Sequence, residues 1–254
     1  MKVQQIKTVI LTHPSDSGQI LKDGLLSHGL NVIEDPMIDT ASIQLSLADI
    51  NLIDEAEVLI LTSKRGASEL LEQCGADLLQ GRFIICIGTK TAQELLNAGI
   101  RANWLPQGQT ARQMCHELLR NKLVHGKKVT AIVGQLAEPT LHEALDEVCQ
   151  FSRVDIYQTI EIKSSNELTI QALEETIPPL VCFTSASAVR SFAQNYKELF
   201  TAALPVASIG PVTTAALNQL GFQPLVMTNP STYEELLKQI TALSPKRRGI
   251  VNVM

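Results

Sequence analysis

VLILTSKRGASEL at residues 58–70 and LVCFTSASAVRSF at residues 180–192 share one plan. Each is an apolar run, then Thr-Ser, then small and apolar residues at helical spacing. An unbroken apolar run bounded by turn residues fits a strand buried on both faces, and Thr and Ser are residues that cap helix starts. Each stretch therefore reads as strand, turn, helix. Thr184 lies 122 positions after Thr62, about half of the 254-residue chain.

Sliding the chain by those 122 positions without gaps sets Thr62-Ser63 on Thr184-Ser185, Ile87-Gly88 on Ile209-Gly210, Thr91 on Thr213, Leu95 on Leu217, Gly99 on Gly221 and Thr110 on Thr232. The matches sit at strand-to-helix turns and helix ends, where backbone geometry restricts residue choice, so the chain reads as an internal duplication. The opening KTVILT followed by GQILKDGLLSHG has a looser partner in GKKVTAIVG followed by PTLHEALDEV. RFIICIG followed by KTAQELLNAG repeats the pattern, and Gly29, Gly99 and Gly221 fall where helices close with a left-handed residue. Each half reads as strand, helix, strand, then three further βα units. Repeated βα units predict parallel sheets with helices on both faces.

A duplicated open α/β sheet predicts two similar domains, with ligands bound beyond the carboxyl ends of the strands. If both domains turn those ends toward each other, the site is a cleft between them. IEDPMIDTAS at 33–42 and VDIYQTIEIKSS at 154–165 occupy equivalent places in the two halves and are the candidate connections.

Composition removes several function classes. A net charge of −5 and 4% aromatic residues argue against a nucleic-acid partner, and KRR at 246–248 reads as a solvated tail. No apolar run is long enough to span a bilayer, and MKVQQIKTVILTHP turns polar too early for a signal peptide, which predicts a cytoplasmic protein. Cys74, Cys86, Cys115, Cys149 and Cys182 have no CxxC spacing and read as buried free thiols of a reducing compartment. His116-Glu117 and His142-Glu143 begin like a metalloprotease helix, but Arg120 and Asp146 stand where the second histidine is needed. Neither GxGxxG nor GxxxxGK[ST] occurs, and no GxSxG surrounds a serine.

The repeated turns do carry a chemistry. Helix starts with free N–H groups and hydroxyls bind anions, because those N–H groups have no partner within the helix and the dipole is positive there. Thr62, Ser63, Thr184 and Ser185 could serve only as caps. Capping alone leaves the repeated Ile-Gly-x-x-Thr unexplained, and several carboxylates of one ligand explain both.

LTSKRGA, IGTKTAQELLNAG, VDIYQT, FTSASAV, IGPVTTAALNQLG and STYEELL, by their order, spacing and duplication, together resemble the uroporphyrinogen-III synthase family up to about residue 240. The resemblance implies two similar flavodoxin-like α/β domains, each a parallel sheet flanked by helices, joined by a two-stranded linker with a cleft between. The first would combine residues 1–36 and 163–245 and the second residues 40–158, with linkers at 37–39 and 159–162 and a tail at 246–254. It implies a hydro-lyase that closes hydroxymethylbilane, a linear polycarboxylate, to uroporphyrinogen III with loss of water and inversion of the last ring. It further implies a cytoplasmic monomer with no cofactor, no metal, no nucleic acid and no membrane.

Carried over to this sequence, Tyr157 in VDIYQT matches the family's cleft tyrosine, which assists departure of the hydroxyl, and a phenol stays protonated at neutral pH. Thr62, Ser63, Gly88, Thr184, Ser185, Gly210 and Thr213 match turns that hold acetate and propionate groups, largely through backbone N–H groups. Their neighbours Thr12, His13, Lys64, Arg65, Thr89, Thr91, Ala186, Ser187 and Pro211 complete the expected substrate-binding set. Two departures stand out. His13 occupies the place of an arginine in the family's TRP, and VGQLAEPTLHEAL offers Glu138 where an arginine is common. Lys64, Arg65 and Lys90 are the basic residues that could compensate. The competing reading is a non-catalytic two-domain binding protein for a polycarboxylate, or a relative that kept the fold and lost the activity.

Overall fold

In chain order the elements are β1 (Thr8–Leu11), α1 (Gln19–Ser27), β2 (Asn31–Glu34), β3 (Ile38–Ser42), α2 (Leu47–Asp54), β4 (Val58–Leu61), α3 (Lys64–Cys74), β5 (Phe83–Cys86), α4 (Thr89–Asn97) and α5 (Ala111–Arg120). They continue with β6 (Lys128–Gly134), α6 (Thr140–Leu145), β7 (Gln150–Glu161), α7 (Glu167–Glu174), β8 (Leu180–Phe183), α8 (Ala186–Asn195), β9 (Val206–Ser208), α9 (Pro211–Gln219), β10 (Val226–Met227) and α10 (Tyr233–Leu243). The computed structural model describes residues 6–15, 17–108 and 111–243, so the KRR segment lies outside the described residues.

The chain forms two compact units: one from the residues up to Asp39 and from Ile160 onward, the other from Thr40–Thr159. The first holds a sheet in the order β10-β9-β8-β1-β2, every pair parallel. The second holds the order β3-β7-β6-β4-β5, parallel from β7 to β5. Strands β4 and β8 are buried along their whole length, as sheets covered on both faces require. In the first unit Ile10, Val181, Phe183 and Val206 point to one core, and Val9, Leu11, Leu180, Cys182 and Ala207 to another. In the second, Leu59, Leu61, Ile84, Cys86 and Ile132 face one core, and Val58, Ile60, Ile85, Val129 and Ala131 the opposite one.

The duplication survives at the level of single hydrogen bonds. After α4, Gly99 N–H bonds Leu96 at 2.9 Å and Ile100 N–H bonds Leu95 at 3.0 Å; after α9, Gly221 N–H bonds Asn218 at 3.0 Å and Phe222 N–H bonds Leu217 at 3.0 Å. Both are Schellman closures around a left-handed glycine, and Gly29 closes α1 in the same way. Ala207 pairs with Val226 in the first unit, and 122 positions earlier Ile85 pairs with Trp104 in the second.

Sheet order also shows that each unit takes strands from both halves of the chain. The opening β1-α1-β2 joins β8, which belongs to the second half, while β6-α6-β7, the opening of the second half, joins β4 of the first. The two copies have exchanged their first βαβ pieces. The chain therefore crosses between units twice, within β3 and within β7. Ile162 N–H bonds Met37 and Ile43 N–H bonds Ile156, so the two crossing segments run in opposite directions.

Helices α3 and α8 grip these segments at equivalent positions. Gln73 on α3 donates to the Ile43 carbonyl at 3.0 Å and accepts from Leu45 N–H at 2.9 Å, and Ser42 donates to Glu69. On α8, Asn195 and Ser191 donate to the Ile162 carbonyl at 2.8 and 3.3 Å. Residues 69 and 73 become 191 and 195 after the shift of 122. Beside the α8 grip, buried Asp35 accepts from Tyr196 and from Ser164, and burial, followed by that hydrogen bond to Asp35, raises the Tyr196 phenol above its ordinary range.

Candidate functional site

In the second unit the strands β4, β6 and β7 bring Thr62-Ser63, Gly134 and Tyr157 to one sheet edge. Ser63 leaves β4 in an extended conformation, φ −148° and ψ 152°, and caps α3 by accepting from Gly66 N–H at 3.0 Å. Tyr157 lies on β7 beside Gly134, where the register of β6 and β7 shifts. Its hydroxyl donates to Ser63 Oγ at 3.2 Å, joining residues 94 positions apart. The ring occupies space that a side chain at Gly134 would need: a Cβ there would stand 2.6 Å from Cε2 and Cζ and 2.8 Å from the hydroxyl oxygen. Gly66 flanks the other side, with its Cβ position 3.8 Å from the ring. Two glycines and a capping serine thus seat one phenol.

In the first unit the corresponding turn is built alike without the tyrosine. Ser185 has φ −154° and ψ 157°, caps α8 by accepting from Ala188 N–H at 3.1 Å, and meets Ser187 Oγ at 3.0 Å. Farther along the edge Ser208 and Thr214 share a hydrogen bond of 2.7 Å. Gly210 precedes α9, whose first residue is Pro211; its φ of 173° is ordinary extended backbone, and a side chain there would strike Ser231. Gly88, by contrast, has a left-handed φ of 78° and opens α4 with no side-chain cap, leaving the N–H groups of an exposed turn free of a capping side chain.

Charge around these turns is partly spoken for. Lys64 pairs with Glu94 at 3.6 Å while 63% exposed, a contact it can exchange for a ligand at little cost. Arg65 pairs at 2.5 Å with Glu69, which is 4% exposed, so withdrawing the guanidinium would leave a buried carboxylate uncompensated. Lys90 makes no ion pair among the described residues. Among those residues there is no group of three or more His, Cys, Asp and Glu arranged to hold a metal, and no helix is long and apolar enough to cross a membrane.

The family model for HEM4, uroporphyrinogen-III synthase HemD, matches residues 20–238. The chain belongs to the uroporphyrinogen-III synthase family. It is 23% identical over 242 residues to the porphyrin biosynthesis protein HemD of Ruminiclostridium josui, an alignment covering 91% of this chain and 47% of that protein. The chain thus spans about half the length of that relative. Its fold resembles uroporphyrinogen-III synthetase from Helicobacter pylori, with a TM-score of 0.67 and 18% identity over 94% of this chain and all of that one. A mutant uroporphyrinogen III synthase from the extremely thermophilic bacterium Thermus thermophilus gives a TM-score of 0.58 and 17% identity over 95% and 100% of the two chains. At these identities the likeness establishes the two-domain α/β fold.

Within this synthase-family frame the residues singled out from sequence fall into three groups. Ser63 and Tyr157 meet. Thr62, Lys64, Arg65, Gly88, Thr89, Thr184, Ser185, Ala186, Ser187 and Pro211 lie at least partly exposed on strand-to-helix turns or the helix starts that follow them. Thr12, His13, Thr91, Gly210 and Thr213 are buried, and Thr12 is fully so, with its hydroxyl donating to the Cys182 carbonyl at 2.8 Å. His13 is 3% exposed, meets the Tyr233 ring edge-on at 5.6 Å between centroids and fills the space beside Gly18. Its side chain is turned inward, packed between Tyr233 and Gly18. Glu138 is exposed. Sequence reasoning overlooked Gly134, the last residue of β6, and Gly66, in the first turn of α3, although both sit inside stretches already quoted. The cysteines are all free; Cys86, Cys115 and Cys182 are buried, whereas Cys74 and Cys149 are only half-buried.

Proposed function

We propose that this chain performs the uroporphyrinogen-III synthase reaction as a hydro-lyase, closing hydroxymethylbilane with loss of water and inversion of the last ring. The observation that carries the reading is the seat of Tyr157: a phenol held against Ser63 at the N-terminus of α3, on the sheet edge where open α/β folds bind ligands. A phenol so placed can supply its proton to a departing hydroxyl. The helix starts at Ser63, Gly88, Ser185 and Gly210 supply N–H groups for the acetate and propionate carboxylates, so an acidic protein can hold an acidic substrate without a basic patch. In this reading the protein works as a cytoplasmic monomer with no nucleic-acid partner.

The test is a product assay. The protein is incubated with freshly generated hydroxymethylbilane and the type I and type III isomers are separated. Type III product above the spontaneous background supports the reading. Binding of the bilane with only type I product assigns the chain to the binding-protein class instead.

A further inference from the structure

Ser63 Oγ has two lone pairs, and both are taken: one by Gly66 N–H at 3.0 Å, the other by the Tyr157 hydroxyl at 3.2 Å. What remains is the serine's own proton. The Tyr157 oxygen is tucked over Gly134, 2.8 Å from where a Cβ would stand, and its proton is directed at the serine. Ser63 and Tyr157 are both partly exposed, and since the phenol's proton is engaged by the serine, the serine's proton is the one free to meet anything bound at the start of α3. From this geometry, and resting on the functional reading above, we propose that Ser63 delivers the proton to the leaving hydroxyl and that Tyr157 replaces it, the two forming a relay in which the serine touches the substrate.

The step balances without another reactant. The carbon–oxygen bond of the substrate's hydroxymethyl group breaks, its electron pair leaves on oxygen, and that oxygen takes the Ser63 proton to depart as water. Ser63 Oγ takes the proton of Tyr157, leaving a phenolate. Closure with inversion forms a carbon–carbon bond at the substituted carbon of the last ring, breaks that carbon's old bond to the bridging carbon, and rejoins the bridge to the ring's other α-carbon, which loses one proton and so restores the phenol. A serine hydroxyl is a much weaker acid than a phenol, so it acts only because the phenol refills it in the same motion. The N-cap bond from Gly66 holds the serine oxygen still while the protons move.

The first unit supplies a control. Ser185 caps α8 as Ser63 caps α3, and its hydroxyl partner is Ser187 rather than a tyrosine. Single-turnover rates of type III formation are measured for the parent and for Ser63→Ala, Tyr157→Phe, the double variant and Ser185→Ala. Ser63→Gly, which keeps the turn because glycine is tolerated at a cap, serves if the alanine variant does not fold. The relay predicts that losing either member costs about the same factor, up to the roughly 10² to 10⁴ of a general acid, and that the double variant is no slower than the singles. In mixtures of H₂O and D₂O the parent rate should bow with isotope fraction, since two protons move together, and Ser63→Ala should lose the curvature. Ser63→Ala within about threefold of Ser185→Ala, with Tyr157→Phe much slower, would overturn the relay and leave Tyr157 as the direct donor. A parent protein that makes no type III isomer removes the functional reading itself, and the relay with it.

Discussion

Replacing Gly134 by alanine should unseat Tyr157. The backbone there lies outside the left-handed region, so the cost is steric. The added Cβ would stand 2.6 Å from two ring atoms and 2.8 Å from the phenol oxygen, well inside normal contact distance. The ring must move by about 1 Å to reach ordinary contact near 3.5 Å, and the 3.2 Å bond to Ser63 cannot survive that shift. Forcing a methyl into a packed site costs about 1–3 kcal/mol, and losing the hydrogen bond about 0.5–1.5 kcal/mol, so Gly134→Ala should destabilise the second unit by roughly 2–4 kcal/mol. Urea unfolding followed by far-UV circular dichroism measures this, both in the parent and in a Tyr157→Ala background. With the ring gone its steric partner is gone too, and the alanine should then cost less than about 1 kcal/mol, a non-additivity typical of residues in contact. Equal cost in the two backgrounds, or a change below about 0.5 kcal/mol in the parent, would refute the seating argument.

Gly88→Ala should cost about 1–2 kcal/mol from its φ of 78° alone, because nothing lies within 4 Å of the new Cβ, and Gly88→Asp should in addition weaken carboxylate binding, read by titration calorimetry. Gln73→Leu strands the Ile43 carbonyl of one crossing segment, and Asn195→Leu leaves the Ile162 carbonyl of the other with only the longer 3.3 Å bond from Ser191. Each should cost about 1–3 kcal/mol and raise amide exchange at that segment; unchanged exchange would mean that the grips are idle. Burial pushes the Cys86 and Cys182 thiols up to about 12, and burial with nearby Asp146 pushes Cys149 up to about 11, so thiol reagents at pH 8 should label these three much faster in urea than in the native protein. The same shifts set a direction with pH: unfolded thiols lose protons from about 9.0 while folded ones hold them, so stability is full below that value and falls as pH climbs toward 12. A urea midpoint that rises between pH 8 and pH 10 would contradict this.

What the chain states by itself is what short-range physics enforces. Four-residue apolar runs such as VLIL and LVCF, bounded by turn residues, fit strands covered on both faces, and they are. Glycines at 29, 99 and 221 close helices because the left-handed conformation there costs them nothing, and Ser63 and Ser185 cap helices because their oxygens reach an N–H three residues on. These constraints act within a few residues, so they repeat faithfully at a spacing of 122 and reveal the duplication. The order of the quoted motifs, read along the line, was enough to point to the family.

Tertiary structure decided the rest, through contacts that no local period encodes. The exchange of opening βαβ pieces between the two halves is set by which strands pair, and a strand's burial pattern is the same in either sheet. The meeting of Tyr157 with Ser63 spans 94 residues and depends on a register shift and on the empty space above Gly134. Which cations are free is likewise a matter of neighbours: Arg65 is held by a buried carboxylate one helical turn away, while Lys64 keeps most of its surface in water. His13 shows the same limit, since the line does not say which way it points and packing against Tyr233 buries it. A side chain's direction is chosen by the volume left to it, and that volume exists only once the sheets have formed.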